Sequence, residues 1–285
     1  MKFKTKEQEK AYESAMKRDY KAAAFDVDGT LTEFGKFTIP DYVLETLEKV
    51  PLDVPLALCT GRPIDFIHGK MDKICNATRN PEEQRRRWWI LAENGGAGYY
   101  YEPQSEGYVK FFEAPWPSEE IKMEVLEAHL KDKLGWKIQT ILRDHTVLVL
   151  YSKWMYLFPR VIKSTSLRNS RKIERLLKKR GLDHLLSVQN SGLGTLIIPK
   201  TSGKGQAIQK MARKLGIPMK SILCLGDNPQ RGGNDEDFLS GDYGTPFSVG
   251  PILKKTYPLP VLNEAHVHMS GPKGVVYLLK KLFHI

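Results

Sequence analysis

Cysteine is scarce. The 285 residues contain three, Cys59, Cys75 and Cys224, odd in number, widely spaced and without a C-x-x-C pair, which excludes a disulfide scaffold and predicts reduced core thiols. No apolar run approaches the roughly 18 residues of a membrane span, and residues 1–20 are polar and of mixed charge, without a signal-peptide block. The expectation is a cytoplasmic chain with no membrane partner, whose Asn76-Ala77-Thr78 sequon stays unmodified. Internal repeats and low-complexity tracts are absent too. Acidic residues are in deficit, 33 Asp plus Glu against 44 Lys plus Arg, for a formal net charge of +11; such a surplus concentrates anionic partners without saying which.

What is present suffices for a sizeable core. At 41% hydrophobic and 27% charged residues, the chain fits one large or two modest globular domains. Residues 4–19 favour helix but carry few large apolar side chains, which predicts an exposed N-terminal helix or arm over 1–20. From residue 21, short near-continuous apolar runs (22–27, 56–59, 88–92, 222–225, 246–249) alternate with helical periodicity (41–50, 64–74, 204–215, 273–282). Strands of that kind are buried on both faces of a parallel sheet. The fold class is therefore α/β, a doubly wound, mostly parallel, Rossmann-like sheet. Residues 97–199 differ. They read as alternating strands (98–102, 108–113, 136–143, 146–151, 185–189, 195–198) with helices at 118–133 and 169–180, an antiparallel α+β segment inserted into a core made of 21–96 and 200–285. Residues 80–87 read as a polar loop or short helix.

Much of the positive charge is local. Between Arg160 and Arg180 there are nine basic residues and one acidic residue, Glu174. A solvated helix face, attraction of a phosphorylated substrate and nucleic-acid binding are all open readings. The segment lacks the interleaved aromatics that stack on bases, so nucleic acid is disfavoured.

The chemistry concentrates at strand ends. In Ala24-Phe25-Asp26-Val27-Asp28-Gly29-Thr30 an apolar strand runs into two carboxylates two residues apart, on the same side of the chain. Their repulsion is costly unless a cation or proton lies between them. Gly29 permits a sharp turn that exposes amide donors to an anion. A later strand ends in Leu225-Gly226-Asp227-Asn228, followed by Gly232-Gly233-Asn234-Asp235. Open α/β sheets bind ligands at the carboxyl ends of their strands, so Asp26, Asp28 and Asp227 can converge across two hundred residues. Hard oxygen donors without His or Cys suit Mg2+. Cys59-Thr60-Gly61-Arg62 offers a hydroxyl and an amide at a helix entrance, which favours phosphate. Lys204, opening a helix in Ser202-Gly203-Lys204-Gly205, is a natural counter-charge.

The ordered set D-x-D-G-T, C-T-G-R, a lysine before a helix, and G-D followed by N-D resembles the haloacid dehalogenase superfamily of aspartyl phosphotransferases, over nearly everything after residue 20. The long insertion between the second and third motifs, and Asn94 in Glu93-Asn94-Gly95, resemble the large-cap branch of sugar-phosphate phosphatases and phosphomannomutases. The resemblance implies a Mg2+-dependent phosphohydrolase acting on a small phosphorylated metabolite, most plausibly a sugar phosphate. Asp26 would be the nucleophile and Asp28 the acid and base, while Gly29, Thr60, Gly61 and Lys204 would hold the phosphoryl group. Mg2+ would sit between Asp26, the Asp28 backbone carbonyl and Asp227. Arg62, Asn94, Asn228, Asn234 and Asp235 would support metal, lysine or substrate. The insertion between Asp227 and Asn234 is similar to that of the mutases, which keeps a phosphomutase as the alternative. Against it, Arg143 stands alone where the mutases carry a run of cap arginines.

Other signals carry less. Gly203-Lys204-Gly205 lacks the upstream glycine and following hydroxyl of a P-loop. His266 and His268, His145 and His184 have no metal-site company and read as surface or structural. Trp88-Trp89 and Tyr99-Tyr100-Tyr101 read first as core packing, with substrate contact as the second reading.

Overall fold

The structure, a computed structural model, describes residues 3–285 except 34, 37, 77, 79, 106, 136, 137, 144, 145 and 153–161; at 68, 70, 72, 73, 138–143, 152, 162 and 163 it describes backbone alone. Two sheets organise it. The larger has the order β12-β11-β10-β1-β2-β3-β4-β5, built from β1 (Ala22–Asp26), β2 (Leu56–Cys59), β3 (Trp88–Ala92), β4 (Ala97–Glu102), β5 (Gly107–Glu113), β10 (Ile222–Gly226), β11 (Thr245–Ser248) and β12 (Leu259–Pro260). Six strands are parallel, and β4 and β5 continue antiparallel at one edge. The apolar runs are what put β1, β2, β3, β10 and β11 inside, with every residue of each buried.

Helices cover both faces of this sheet. On one side α2 (Asp41–Lys49), α3 (Ile64–Asn76) and α8 (Gly271–Phe283) pack over Ala23 and Phe25 of β1. On the other, α7 (Lys204–Leu215) packs Ala207, Ile208 and Met211 over Ala22 and Ala24. Alternation along β1 then sends Asp26 to the α7 side, toward the Lys204 end of that helix.

The smaller sheet, order β6-β7-β9-β8, comprises β6 (Ile138–Arg143), β7 (Leu148–Ser152), β8 (Leu186–Asn190) and β9 (Gly194–Pro199) and is antiparallel throughout. Leu148, Leu150, Ile197 and Leu186 on one face pack under α5 (Met123–Leu134) and α6 (Ile162–Lys179). Val147, Val149, Leu196 and Ile198 form the opposite face. That face turns toward the larger sheet: a Cβ placed on Gly61, beyond β2, would lie 3.2 Å from Leu196 Cδ2.

Two sequence expectations change. Residues 97–113, assigned to the insertion, extend the larger sheet as β4 and β5. Antiparallel strands alternate in the same way whichever sheet they join, and Trp89 pulls Tyr100 and Phe111 onto the core by ring contacts 5.4 and 5.1 Å apart. The N-terminal helix α1 (Lys6–Ala15) is docked rather than free. Gln8 is buried and donates to the carbonyls of Lys255 at 3.0 Å and Pro258 at 3.2 Å. The polar 80–87 stretch is a short helix, α4 (Pro81–Arg87). None of the described helices is long and apolar enough to cross a membrane.

Candidate active site

Where β1 and β10 end side by side, three carboxylates meet. Oxygen atoms of Asp26, Asp227 and Asp235 lie within 4.8 Å of one another, the one such grouping of metal-ligating side chains among the described residues. Asp26 and Asp235 are buried. The Lys204 ammonium, fully buried, donates to Asp26 Oδ1 and to Asp235 Oδ1, the latter at 2.6 Å. Thr30 Oγ1 donates to Asp26 Oδ2 at 3.2 Å. The other oxygen of Asp235 accepts the backbone N–H of Asp227 at 3.2 Å and of Asn228 at 3.1 Å. Asp235 thus ties the loop after β10 to the lysine at the head of α7.

Electrostatics follow from this crowding. Burial pushes the Asp26 carboxyl well above the ordinary carboxylate range, with Asp235 and Asp227 adding to the effect and Lys204 opposing it. Burial alone would lower the Lys204 ammonium, but Asp235 and Asp26 outweigh it and raise the group above its ordinary value. Three carboxylates against one ammonium leave negative charge that a divalent cation would balance. The donor set is all oxygen, which fits a hard ion such as Mg2+.

The remaining residues expected from sequence lie around this centre. Gly29 has φ +93°, and a Cβ there would sit 2.6 Å from Asp227 Oδ2, so only glycine admits the turn and the neighbouring carboxylate together. Asp28 does not turn into the cluster: its Oδ1 pairs with Arg62 Nη2 at 3.0 Å, and the Arg62 guanidinium lies 4.4 Å over the Phe66 ring. Thr60 is buried; its Oγ1 accepts from Arg62 N at 3.2 Å and its carbonyl from Asn94 N at 2.7 Å. Asn94 reaches the smaller sheet, donating from Nδ2 to Gln189 Oε1. Asn228 Nδ2 donates at 2.8 Å both to Asn234 Oδ1 and to the Asn190 carbonyl. The Arg143 side chain and His145 fall outside the described side chains.

Several contributors had no sequence signal. Asn190, at the end of β8, exchanges backbone bonds with the loop after β10: Asn190 N donates to Gly232 O at 2.7 Å, and Asn234 N to Asn190 O at 3.1 Å. The Asn190 amide is itself anchored to Ser166 Oγ at 2.7 Å and Ser170 Oγ at 3.0 Å of α6. Glu93 Oε2 accepts from Thr146 N at 3.1 Å. Asp237 accepts from Gly205 N at 3.0 Å, satisfying a first-turn donor of α7. Each is a contact between segments far apart in the chain, which no local pattern encodes. The Gly-Gly spacing before Asn234 was the one readable hint, since it marks a loop with unusual backbone needs.

A family model described as sucrose-6F-phosphate phosphohydrolase matches residues 153–245. No curated protein sequence matches the chain. Solved structures share its fold. The N-terminally truncated IMP-nucleotidase of Plasmodium falciparum is 12% identical, covers 96% of this chain and 73% of its own, and superposes with a TM-score of 0.62. The Synechocystis sp. PCC6803 sucrose-phosphatase, solved with sucrose and phosphate, is 18% identical over 81% of this chain and 82% of its own, with a TM-score of 0.55. The C-terminal domain of C. albicans trehalose-6-phosphate phosphatase is 16% identical over 98% and 97%, with a TM-score of 0.61. What these likenesses show is a shared fold, and the proteins that share it are named as a nucleotidase and two sugar-phosphate phosphatases.

Proposed function

We propose that the chain is a Mg2+-dependent phosphohydrolase that cleaves a phosphate monoester of a small metabolite, a sugar phosphate first among them, through a phosphoryl group carried on Asp26. The observation that carries this reading is the meeting of Asp26, Asp227 and Asp235 oxygens within 4.8 Å of one another, with the buried Lys204 ammonium held by Asp26 and Asp235. Uncatalysed monoester hydrolysis is so slow that enhancements up to about 10²¹ are needed, and phosphoryl transfer gains chiefly from positioning and charge neutralisation.

In this reading Asp26 attacks phosphorus and forms the carboxyl–phosphorus bond as the ester P–O bond breaks. Asp28 gives its proton to the departing oxygen. It then takes a proton from the water that cleaves the acyl phosphate, returning Asp26 and releasing inorganic phosphate. Thr60, the amides near Gly29 and Gly61, and Lys204 hold the phosphoryl oxygens. Arg62 fixes the direction of Asp28 until substrate arrives. Asp26, Asp227 and the Asp28 carbonyl would hold Mg2+, with Asp235 beside them; bound there, the ion would neutralise charge on the transferring group. The apolar face of the smaller sheet, with Leu196 against Gly61, supports its role as a cap that excludes water during transfer.

The test is phosphate release from a panel of phosphorylated sugars, polyols and nucleoside monophosphates, with and without Mg2+, for the wild type and Asp26→Asn. Metal-dependent release that falls by at least about 10³-fold in the folded variant is expected, the scale on which loss of a reacting group acts. Undiminished release by Asp26→Asn would refute the nucleophile. An isomerised sugar phosphate without free phosphate would replace the hydrolase by a phosphomutase.

A further inference from the structure

The basic segment seen in the sequence resolves into a surface, and its place in the fold changes what it can do. In α6 the buried residues are Ser166, Asn169, Ser170, Ile173 and Leu177, and Arg168, Arg171, Lys172, Arg175, Lys178 and Lys179 are all exposed. At 3.6 residues per turn these six cations fall in an arc of about 120° centred opposite Ile173. Glu174 lies to the side of the arc. Like charges at i,i+3 and i,i+4 destabilise a helix by about 0.2–0.5 kcal/mol per pair, and none of the six forms an ion pair among the described residues. On the neighbouring α5 the positive charge is offset: Lys131 pairs with Glu127 at 2.5 Å and Lys133 with Asp132 at 3.1 Å.

The stripe does not serve the phosphate site. Ile173 and Leu177 pack α6 onto the Leu148, Leu150 and Ile197 face of the smaller sheet. The opposite face, carrying Leu196, is the one that meets Gly61. The sheet therefore stands between the cations and Gly61, which the proposed function places at the phosphoryl group, and the stripe faces away from it.

We propose that the outer face of α6 is a docking surface for duplex nucleic acid, engaged through its phosphate backbone. From Arg168 to Lys179 the stripe spans about 16 Å at 1.5 Å per residue. That length of duplex axis carries about ten phosphate charges, so the six cations face an excess of phosphates over a matching extent. The lack of aromatics on α6, which counted against nucleic acid on sequence, counts only against a single strand, whose bases stack on rings, and not against the backbone of a duplex. A membrane is disfavoured because the exposed large apolar residues among those described, Tyr42, Leu52, Phe66, Val125 and Val267, are none of them on α6, and interfacial helices bury an apolar face. Contacts to phosphate carry no base information, so binding is sequence-independent.

The full chain titrated against fluorescein-labelled 24-base-pair DNA and RNA duplexes of mixed sequence tests this by anisotropy at 50 and 200 mM KCl. If about four phosphates are neutralised, affinity for DNA falls by about 100-fold between the two salt concentrations. Arg171→Gln/Arg175→Gln should weaken binding at least about tenfold at 50 mM and flatten the salt slope by about two. Phosphate release from small substrates should be unchanged in that variant, so this idea and the phosphohydrolase reading fail separately. The DNA and RNA arms decide which duplex is preferred. No binding at 50 mM, equal binding by the variant, tighter binding of the corresponding single strand, or tighter binding of vesicles containing anionic lipid would each overturn the proposal.

Discussion

The Lys204 ammonium lies 2.6 Å from Asp235 Oδ1 with neither side chain exposed to solvent. A buried pair of this kind contributes little net stability relative to an apolar pair, but removing one partner strands the other. Lys204→Met should therefore cost about 3–5 kcal/mol of unfolding free energy, measured by urea denaturation without metal. Combining it with Asp235→Asn should recover much of the loss. An unchanged midpoint for the single variant would show that the carboxylates are relieved by some other route.

Asp26 carries the opposite sign. Its carboxyl is raised in the fold by burial and by Asp235 and Asp227, so the folded state favours the protonated form. Stability from that preference is fully present below the ordinary value of 3.8 and is lost as pH rises through the folded value. Asparagine mimics the protonated form. In chelator, Asp26→Asn should melt above wild type at pH 7.5, by roughly 2–4 °C for each kcal/mol relieved, and the two should converge near pH 4. Adding Mg2+ should reverse the order, since an ion at 100 times its Kd stabilises the binding-competent protein by about 2.7 kcal/mol. A wild type that melts higher than the variant in chelator at pH 7.5 would contradict the account.

Asn228 links the loop after β10 to the smaller sheet through the Asn190 carbonyl. Asn228→Ala removes that bond and the one to Asn234, each worth about 1 kcal/mol. Backbone amides of 186–190 and 228–234 should then exchange with deuterium about tenfold faster, with little change in α2 or α8. Equal protection in both proteins would mean the sheet is held in place from elsewhere.

Gly95 and Gly216 separate conformational strain from collision. Gly216, ending α7 at φ +67°, has open space where a Cβ would go, whereas at Gly95, φ +87°, a Cβ would overlap the Gly203 carbonyl. Gly216→Ala should cost about 1–2 kcal/mol, the left-handed penalty alone. Gly95→Ala must also move the backbone that delivers Lys204, so its denaturation midpoint should fall distinctly further. Equal losses would remove the proposed contact between the two segments.

The core was legible because a parallel strand buried on both faces leaves a continuous apolar run. β2 and β3 stand where those runs lie, and Asp26, Asp227 and Lys204 were readable as polar residues at the ends of such elements. The β4–β5 hairpin was misplaced because alternation says that a strand has two unlike faces, not which sheet it completes. The length of α6 was underestimated, since Ser164, Thr165 and Ser166 favour caps and turns; packing against β8 and β9 overrides that preference.

Composition and pattern by themselves determined the α/β class, the order of the motifs and the kinds of atoms available to a metal and a phosphate, because each depends on residue type and near-neighbour spacing. Only the tertiary structure decided that Asp235 joins Asp26 and Asp227 while Asp28 turns to Arg62, that Asn190 fastens the smaller sheet to the loop after β10, and that the cations of α6 face away from the site. These are relations between segments up to two hundred residues apart. Their geometry is set when the sheets pack, and packing depends on the whole chain.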